Sequence, residues 1–368
     1  MQLTNRITCA LGVIVLLIGL TAIAPTYSSA ATQDKDKSDK ADKDKDKKDK
    51  DKDKDKDKDK KDKKSKSEKE AEDKAEAKTG NPVLWREPTD IESRDLFHGP
   101  GGAEGAPNPS DKFTFMKRDT GGTSEKILVK DSKGREWSVK FGAEARPETA
   151  ATRIVWAAGY HVDQDYFVKE AHIEGRGGFD VYDVRFERKD DGLKTLDNWM
   201  WMSAGTFNGK RELQGLKVLM ALINNWDLKD VNNKIVRPNK ESGGDRDSRI
   251  YYVSDLGGTL GATGNTFAKL PFFGNAPAGS KGRPDAFANQ AFIDGVQNGK
   301  VVFHYEGKNA KVLEGISVED ARWMGELLGR LSDKQLSDAF RAGGFTDSEV
   351  SIYVRAMRSR INQLKNLR

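Results

Sequence analysis

Four short polar motifs follow one another along the chain and could together act on phosphate groups. Lys140 ends a strand-like segment, and Glu148 follows it at the start of a predicted helix. Residues 227–232 (DLKDVN) follow a predicted buried helix, and residues 254–257 (SDLG) follow a predicted short strand. A lysine pinned by a glutamate can hold phosphates, and carboxylate and amide oxygens can bind Mg²⁺. Each motif alone is weak, but the set favours phosphoryl transfer.

For two of these roles, a second residue nearby in the sequence is also a suitable candidate. Glu144 competes with Glu148 as the partner of the lysine, and Asp230 competes with Asp227 as the base that orients a hydroxyl. A loop at residues 120–124 (TGGTS) precedes the lysine strand, and its backbone amides could cover phosphates. The chain has no phosphate-binding loop of the Walker type, no nucleophile elbow and no His-Glu-x-x-His motif.

The elements that must position these motifs divide the chain into a strand-rich half and a helix-rich half. Alternating apolar residues predict a three-strand meander from residue 113 to 141, with later strands at 166–173, 181–186 and 250–253. Pro147 and Gly159 bound a predicted helix. A buried helix is predicted at 214–225 and a helical tail at 318–367. We therefore expect an α+β fold with a cleft between its two halves.

Composition excludes several classes of protein. The net charge is +5 with 33% charged residues, but residues 34–78 alone hold 20 Lys and 18 acidic residues in near-strict alternation. The rest is almost neutral, so no basic surface for nucleic acid is expected. The single cysteine, Cys9, excludes a disulfide framework and a thiolate metal site, and no two of the four histidines have His-x-x-x-His spacing.

The N-terminus has the pattern of a secretory signal over residues 1–30. Arg6 supplies the positive start, residues 13–23 the apolar run, and residues 28–30 a small-residue cleavage site. The alternative is an uncleaved anchor, which would be the chain's one contact with a membrane. Residues 31–80 are predicted to be a disordered, near-neutral linker, either a spacer or only a solubilising segment. The expected location is secreted or periplasmic, with possible tethering to the envelope.

The motifs resemble those of the protein-kinase-like superfamily. Residues 226–232 (WDLKDVN) look like its catalytic loop, and residues 255–257 (DLG) like its metal-binding triplet. The short first half is more similar to atypical branches: phosphatidylinositol-kinase-like enzymes, toxin–antitoxin serine kinases and secreted kinases. The resemblance implies a bilobal fold with a lead-in at 81–111, an N-lobe at 112–196 and a C-lobe at 197–368.

The resemblance also implies roles for individual residues and cofactors. It implies ATP or another nucleotide with Mg²⁺, and an acceptor that is a protein, a lipid head group or a small molecule. The alternative function is a non-catalytic kinase-like binding or scaffold module of the cell envelope. The implied catalytic residues are Lys140, Glu148 and Asp227; the implied nucleotide-binding residues are Gly121, Gly122, Ser124 and Lys140; the implied metal ligands are Asn232 and Asp255.

Overall fold

Strands dominate the first half of the folded chain and helices its second half. The computed structural model describes residues 67–121, 124–264 and 279–368. Its strands are β1 (Asn81–Val83), β2 (Phe113–Asp119), β3 (Lys126–Lys130), β4 (Glu136–Lys140), β5 (His161–Val162), β6 (Asp165–Glu174), β7 (Phe179–Arg188), β8 (Leu193–Asp197), β9 (Asn233–Pro238), β10 (Ser248–Val253), β11 (Ile293–Gln297) and β12 (Lys300–Phe303). Its helices are α1 (residues 67–77), α2 (Gly102–Gly105), α3 (Ala145–Ala157), α4 (Arg211–Leu222), α5 (Pro284–Asn289), α6 (Val318–Gly329), α7 (Asp333–Ala342) and α8 (Asp347–Lys365). The predicted α+β class is confirmed.

Five strands of the first half close into a barrel in the order β2-β3-β4-β7-β6. The predicted meander forms its first three strands, and β4 pairs antiparallel with both β3 and β7. Alternate side chains of these strands point inward, and Val129, Trp137 and Phe186 are completely buried at the centre. The barrel thus fixes the end of β4, where Lys140 lies.

The helix α3 packs against one side of the barrel and carries the predicted glutamate. It contacts β6 and β7 on one side and α7 on the other. Pro147 lies in its first turn, and Gly159 follows its end at a φ of +93°, where a side chain would collide with the carbonyl of Arg86. The predicted boundaries are therefore close to the observed ones, and Glu148 lies in the first turn.

The second half combines helices with a sheet that the sequence analysis predicted only in part. The buried helix α4 packs against α6, and a sheet runs in the order β1-β10-β9-β8, with β5 also pairing with β10. Because β8 pairs with β9, the strand at residues 193–197 belongs with the second half, whereas the predicted boundary at 196/197 placed most of it in the first. Capping boxes at Ser332 and Thr346 begin α7 and α8. No helix among the described residues is both long and apolar enough to span a bilayer.

The N-terminal segment differs from the prediction where the described residues begin. The predicted signal at 1–30 and the linker up to residue 66 lie outside the described residues. Residues 67–77, predicted to be disordered, are helical in α1, because Glu76 pairs with Arg237 and its carbonyl oxygen accepts a hydrogen bond from Arg249 at 2.8 Å. Residues 81–83 then add to the sheet as β1, parallel to β10.

Candidate active site

The ammonium of Lys140 lies within reach of three carboxylates that come from two different parts of the chain. Its Nζ atom is 2.6 Å from Glu144 Oε2, 3.0 Å from Glu148 Oε2 and 2.7 Å from Asp255 Oδ1. Glu144 immediately precedes α3, Glu148 lies in its first turn, and Asp255 follows β10. The two glutamates that compete in the sequence therefore both contact the lysine.

Burial and charge act in opposite directions on this cluster. Burial would lower the pKa of Lys140, but attraction to Glu148 and Asp255 outweighs it and raises the pKa above its usual value. Burial would likewise raise the pKa of Glu144, but Lys140 and Lys281 lower it to about 2. Lys140 is therefore a charged ammonium held at a fixed position, with Asp255 as its most exposed partner, at 48% for the side chain.

Behind Glu148 lies a buried arginine that sequence analysis missed. Arg185 Nη1 is 3.4 Å from Glu148 Oε1, 2.7 Å from Asp165 Oδ1 and 2.8 Å from Glu187 Oε2. Arg185 is directly opposite Lys140 in the pairing of β7 with β4. Because Glu148 contacts a cation with each of its oxygens, its carboxylate is fixed in the orientation that meets Lys140.

Asp227 is held by lysines from two separate segments. Its Oδ2 is 2.8 Å from Lys229 Nζ, and its Oδ1 is 2.8 Å from Lys308 Nζ. The backbone N–H of Asp227 donates to Asn225 Oδ1 at 3.0 Å. Asp230, the competing base, instead accepts a hydrogen bond from the backbone of Trp201 at 2.9 Å, a role that fixes the loop.

Hydrogen bonds join the loop of Asp227 to the loop of Asp255. Asn232 donates its side-chain amide to the carbonyl of Asp227 at 3.1 Å, and its own carbonyl accepts from the Ser254 backbone at 2.9 Å. The carbonyl of Gly258 accepts from the backbone of Trp226 at 3.0 Å. Asn232 and Asp255, the predicted metal ligands, are thus carried by loops that are bonded to each other.

Close backbone approach explains the glycine at position 257. A Cβ atom there would lie 2.6 Å from Glu144 Cβ, which is closer than real side chains allow. Asp255 itself has a φ of +52°, a left-handed conformation that aspartate tolerates better than most residues. These two features let the Asp255 loop reach both Glu144 and Lys140.

The predicted phosphate-covering loop is described only in part, since Gly122 lies outside the described residues. Ser124 donates its hydroxyl to Glu144 Oε2 at 3.0 Å, which places it next to the carboxylate cluster. Gly121 is exposed, and its backbone N–H donates to Asp119 Oδ1 at 2.9 Å. Ser124 is therefore close to Lys140, whereas Gly121 is hydrogen-bonded to Asp119, the last residue of β2.

Other site residues missed by sequence analysis come from distant positions. Lys281 pairs with Glu144, and both Lys281 and Lys308 lie over the ring of Trp226, at 5.5 and 5.6 Å from its centre. Of the missed residues, only Arg185 could have been found from the sequence. It lies two residues before Glu187 in β7, and residues two apart in a strand share a face. Nothing in the local sequence marks Lys281 or Lys308.

Several solved structures are similar to part of this chain. No protein-family model matches the chain, and no curated protein matches it. The proinflammatory kinase CtkA of Helicobacter pylori shares 14% identity at a TM-score of 0.38, over 70% of this chain and 94% of that one. A Golgi casein kinase with Mn/ADP bound shares 10% at 0.34, over 70% and 72%. The Rio2 kinase of Chaetomium thermophilum, in a complex with ADP/Mg²⁺-phosphoaspartate, shares 14% at 0.27, over 68% and 72%.

A strand lysine paired with a helix glutamate, next to an aspartate that follows a strand, is the arrangement that kinases use to hold nucleotide phosphates and metal. In this chain Lys140, Glu148 and Asp255 have that arrangement.

Proposed function

We propose that this chain binds a nucleotide together with a divalent cation and transfers its terminal phosphoryl group to an acceptor hydroxyl. The observation that carries the proposal is the placement of Lys140 Nζ, 3.0 Å from Glu148 and 2.7 Å from Asp255. A lysine that is nearly buried and kept charged by fixed carboxylates is preorganised for phosphate oxygens, and preorganised charge is a large source of catalysis.

Asp255 lies among carboxylates that suit a hard cation such as Mg²⁺, since one oxygen each of Glu144, Glu148 and Asp255 lies within 4.8 Å of the other two. Asp255 offers a half-exposed carboxylate, and Asn232 has its amide nitrogen bonded to Asp227, so its amide oxygen is the atom suited to a metal. A cation held there would neutralise charge on the transferred phosphoryl group. Asp255 and Asn232 would hold the cation, and Lys140 would hold phosphate oxygens of the nucleotide.

Asp227 is the residue best placed to receive the proton of the acceptor. Its carboxylate is 15% exposed and pairs with Lys229 and Lys308. As the acceptor oxygen bonds to phosphorus and the bond to the leaving nucleotide breaks, the proton passes from the hydroxyl to a carboxylate oxygen of Asp227. Lys229 is then free to pair with the transferred phosphoryl group.

Asp255→Asn tests the proposal against a matched control in the same chain. Asp183 also has a left-handed φ of +50°, a half-exposed carboxylate and a lysine partner at 2.8 Å, but it lies on the barrel, outside the Lys140 cluster. Calorimetry of the full chain with ATP and Mg²⁺ should show metal-dependent binding. We expect Asp255→Asn to weaken it at least tenfold and Asp183→Asn to leave it unchanged.

Transfer itself is tested by Asp227→Asn. This variant should still bind ATP but should lose label transfer from γ-labelled ATP by a factor of about 10² to 10⁴, since the proton acceptor is removed. Absence of metal-dependent binding in the wild type would sink the kinase proposal and favour the scaffold function. Binding without any label transfer, including to the chain itself, would favour a non-catalytic nucleotide-binding module.

We also propose that the protein is exported and that residues 31–66 act as a tether. The support is the sequence pattern of residues 1–30 and the alternating charges after it. N-terminal sequencing of protein purified from producing cells should give a chain that begins just after Ala30. A chain that keeps Met1 and fractionates with membranes would instead support the uncleaved anchor.

A further inference from the structure

Three arginine side chains in the described part of the chain are at most 3% exposed, and one of them differs from the other two. Arg185 contacts three carboxylates at 2.7–3.4 Å. Arg360 donates hydrogen bonds to two backbone carbonyls and to Asn224 Oδ1 at 2.8–2.9 Å. Arg153, on α3 and 1% exposed, has neither close carboxylates nor a comparable set of hydrogen-bond acceptors.

The guanidinium of Arg153 is poorly satisfied by its neighbours. Its Nη1 donates to Thr152 Oγ1 at 3.3 Å, its Nε has no hydrogen-bond partner, and no carboxylate of the described residues pairs with it within 4.0 Å. The ring of Tyr166 lies 5.3 Å away, and a Cβ atom at Gly99 would lie 2.4 Å from Nε, so only glycine fits beside it. Burial lowers the pKa of Arg153 to about 10, despite the more distant charge of Asp165. A buried charge without a partner is costly to the fold.

This arginine lines a cavity of 170 Å³ where the lead-in, β6, α3 and α7 meet. Most of the lining is apolar, including Phe97, Phe167 and Ala342, while His98 and Tyr166 add polar atoms beside Arg153. An apolar protein cavity of about 150 Å³ is large enough to bind benzene. The site therefore combines space for a ring-sized apolar group with a buried cation that no carboxylate of the described residues approaches within 4.0 Å.

We propose that this cavity binds a small organic anion, with a carboxylate or phosphate head paired to Arg153 and an apolar body among the surrounding side chains. A water molecule could satisfy the Nε donor, but it cannot compensate the charge. An inorganic anion could compensate the charge, but it would leave the apolar lining unused. Only a ligand with both parts uses every feature of the site.

The cavity shares the helix α3 with the Lys140–Glu148 pair of the candidate active site. Arg153 is five residues after Glu148 on the same helix, and α7 supplies Ala342 from the other side of the cavity. An anion bound here would contact the helix that positions the Lys140–Glu148 pair. Such a regulatory role rests on the proposed function, whereas binding of the anion does not.

The test is a thermal-shift titration of the full chain with phenyl phosphate and with benzoate, at constant ionic strength and without nucleotide. We expect a saturable rise in Tm, because a ligand that binds only the folded state stabilises it. Arg153→Met should weaken this binding at least tenfold, and Arg153→Lys should weaken it less. Inorganic sulfate should bind at least tenfold more weakly than phenyl phosphate.

Two further variants separate this site from the others. Lys140→Met should retain the response to phenyl phosphate, and loss of the response would place the binding at the Lys140 cluster and overturn the proposal. Ala342→Phe fills the cavity while keeping Arg153, and it should abolish the response even if Arg153→Met does not fold. An unchanged response in Ala342→Phe, or none in the wild type, would also overturn it. Because no nucleotide is present, failure of the kinase proposal would not change these results.

Discussion

At the scale of single residues, the charges that position the candidate site are more numerous than those that would touch a substrate. In the proposed function, Lys140, Asp227 and Asp255 contact the nucleotide, the metal or the acceptor. Arg185 lies behind them, 2% exposed, and contacts Glu148 from the side opposite Lys140. Removing it would leave its acidic partners buried without their shared cation.

We therefore expect Arg185→Met to lower the free energy of unfolding by about 3–5 kcal/mol, the usual cost of breaking a buried ion pair from one side. Urea unfolding followed by circular dichroism measures this loss. Arg188→Met is the matched control, since Arg188 ends the same strand but pairs with the more exposed Asp190. The control should cost about 1 kcal/mol or less. Equal losses in the two variants would mean that the Arg185 network contributes little.

At the scale of elements, the sequence was informative wherever local pattern alone decides structure. Alternating apolar residues predicted β2, β3 and β4, and Pro147 and Gly159 predicted α3 within two residues at each end. These elements carry Lys140 and Glu148. The positions of both residues on their strand and helix could therefore be predicted from the local sequence pattern. The strand β10 was also predicted, and it places Asp255 at its end.

The elements that were missed depend on partners far away in sequence. The strand β8 is short and polar, and it exists because β9 pairs with it some 40 residues later. The polar stretch after residue 237 begins with the last residue of β9 and leads into β10, which pairs antiparallel with β9. Lys308 reaches Asp227 across 81 residues, a pairing that depends on the fold of α4 and β12 and not on any local pattern.

At the scale of the whole molecule, the folded part of the chain begins inside the charged N-terminal region that was predicted to be a linker. Residues 67–77 were grouped with the linker because they are rich in Lys and acidic residues. In the structure their acidic side chains pair with Lys194 and Arg237, on β8 and β9. The folded body therefore includes the last residues of the predicted linker, which are held on the sheet of the second half.

Truncation measures how much this attachment contributes to stability. We expect a chain that lacks residues 1–80 to melt several degrees below a chain that lacks residues 1–66. The shorter chain loses the hydrogen bond from Arg249 to the carbonyl of Glu76 and the ion pairs of α1 with Lys194 and Arg237, which together we expect to contribute about 1–3 kcal/mol. A loss of 1 kcal/mol lowers Tm by about 2–4 °C in domains of about 150–250 residues, and by somewhat less in a larger one. Glu76→Gln in the full chain keeps that carbonyl, so it should shift Tm less than the truncation does. Equal Tm values for the two truncated chains would show that α1 adds no stability, and the folded body would then begin at β1.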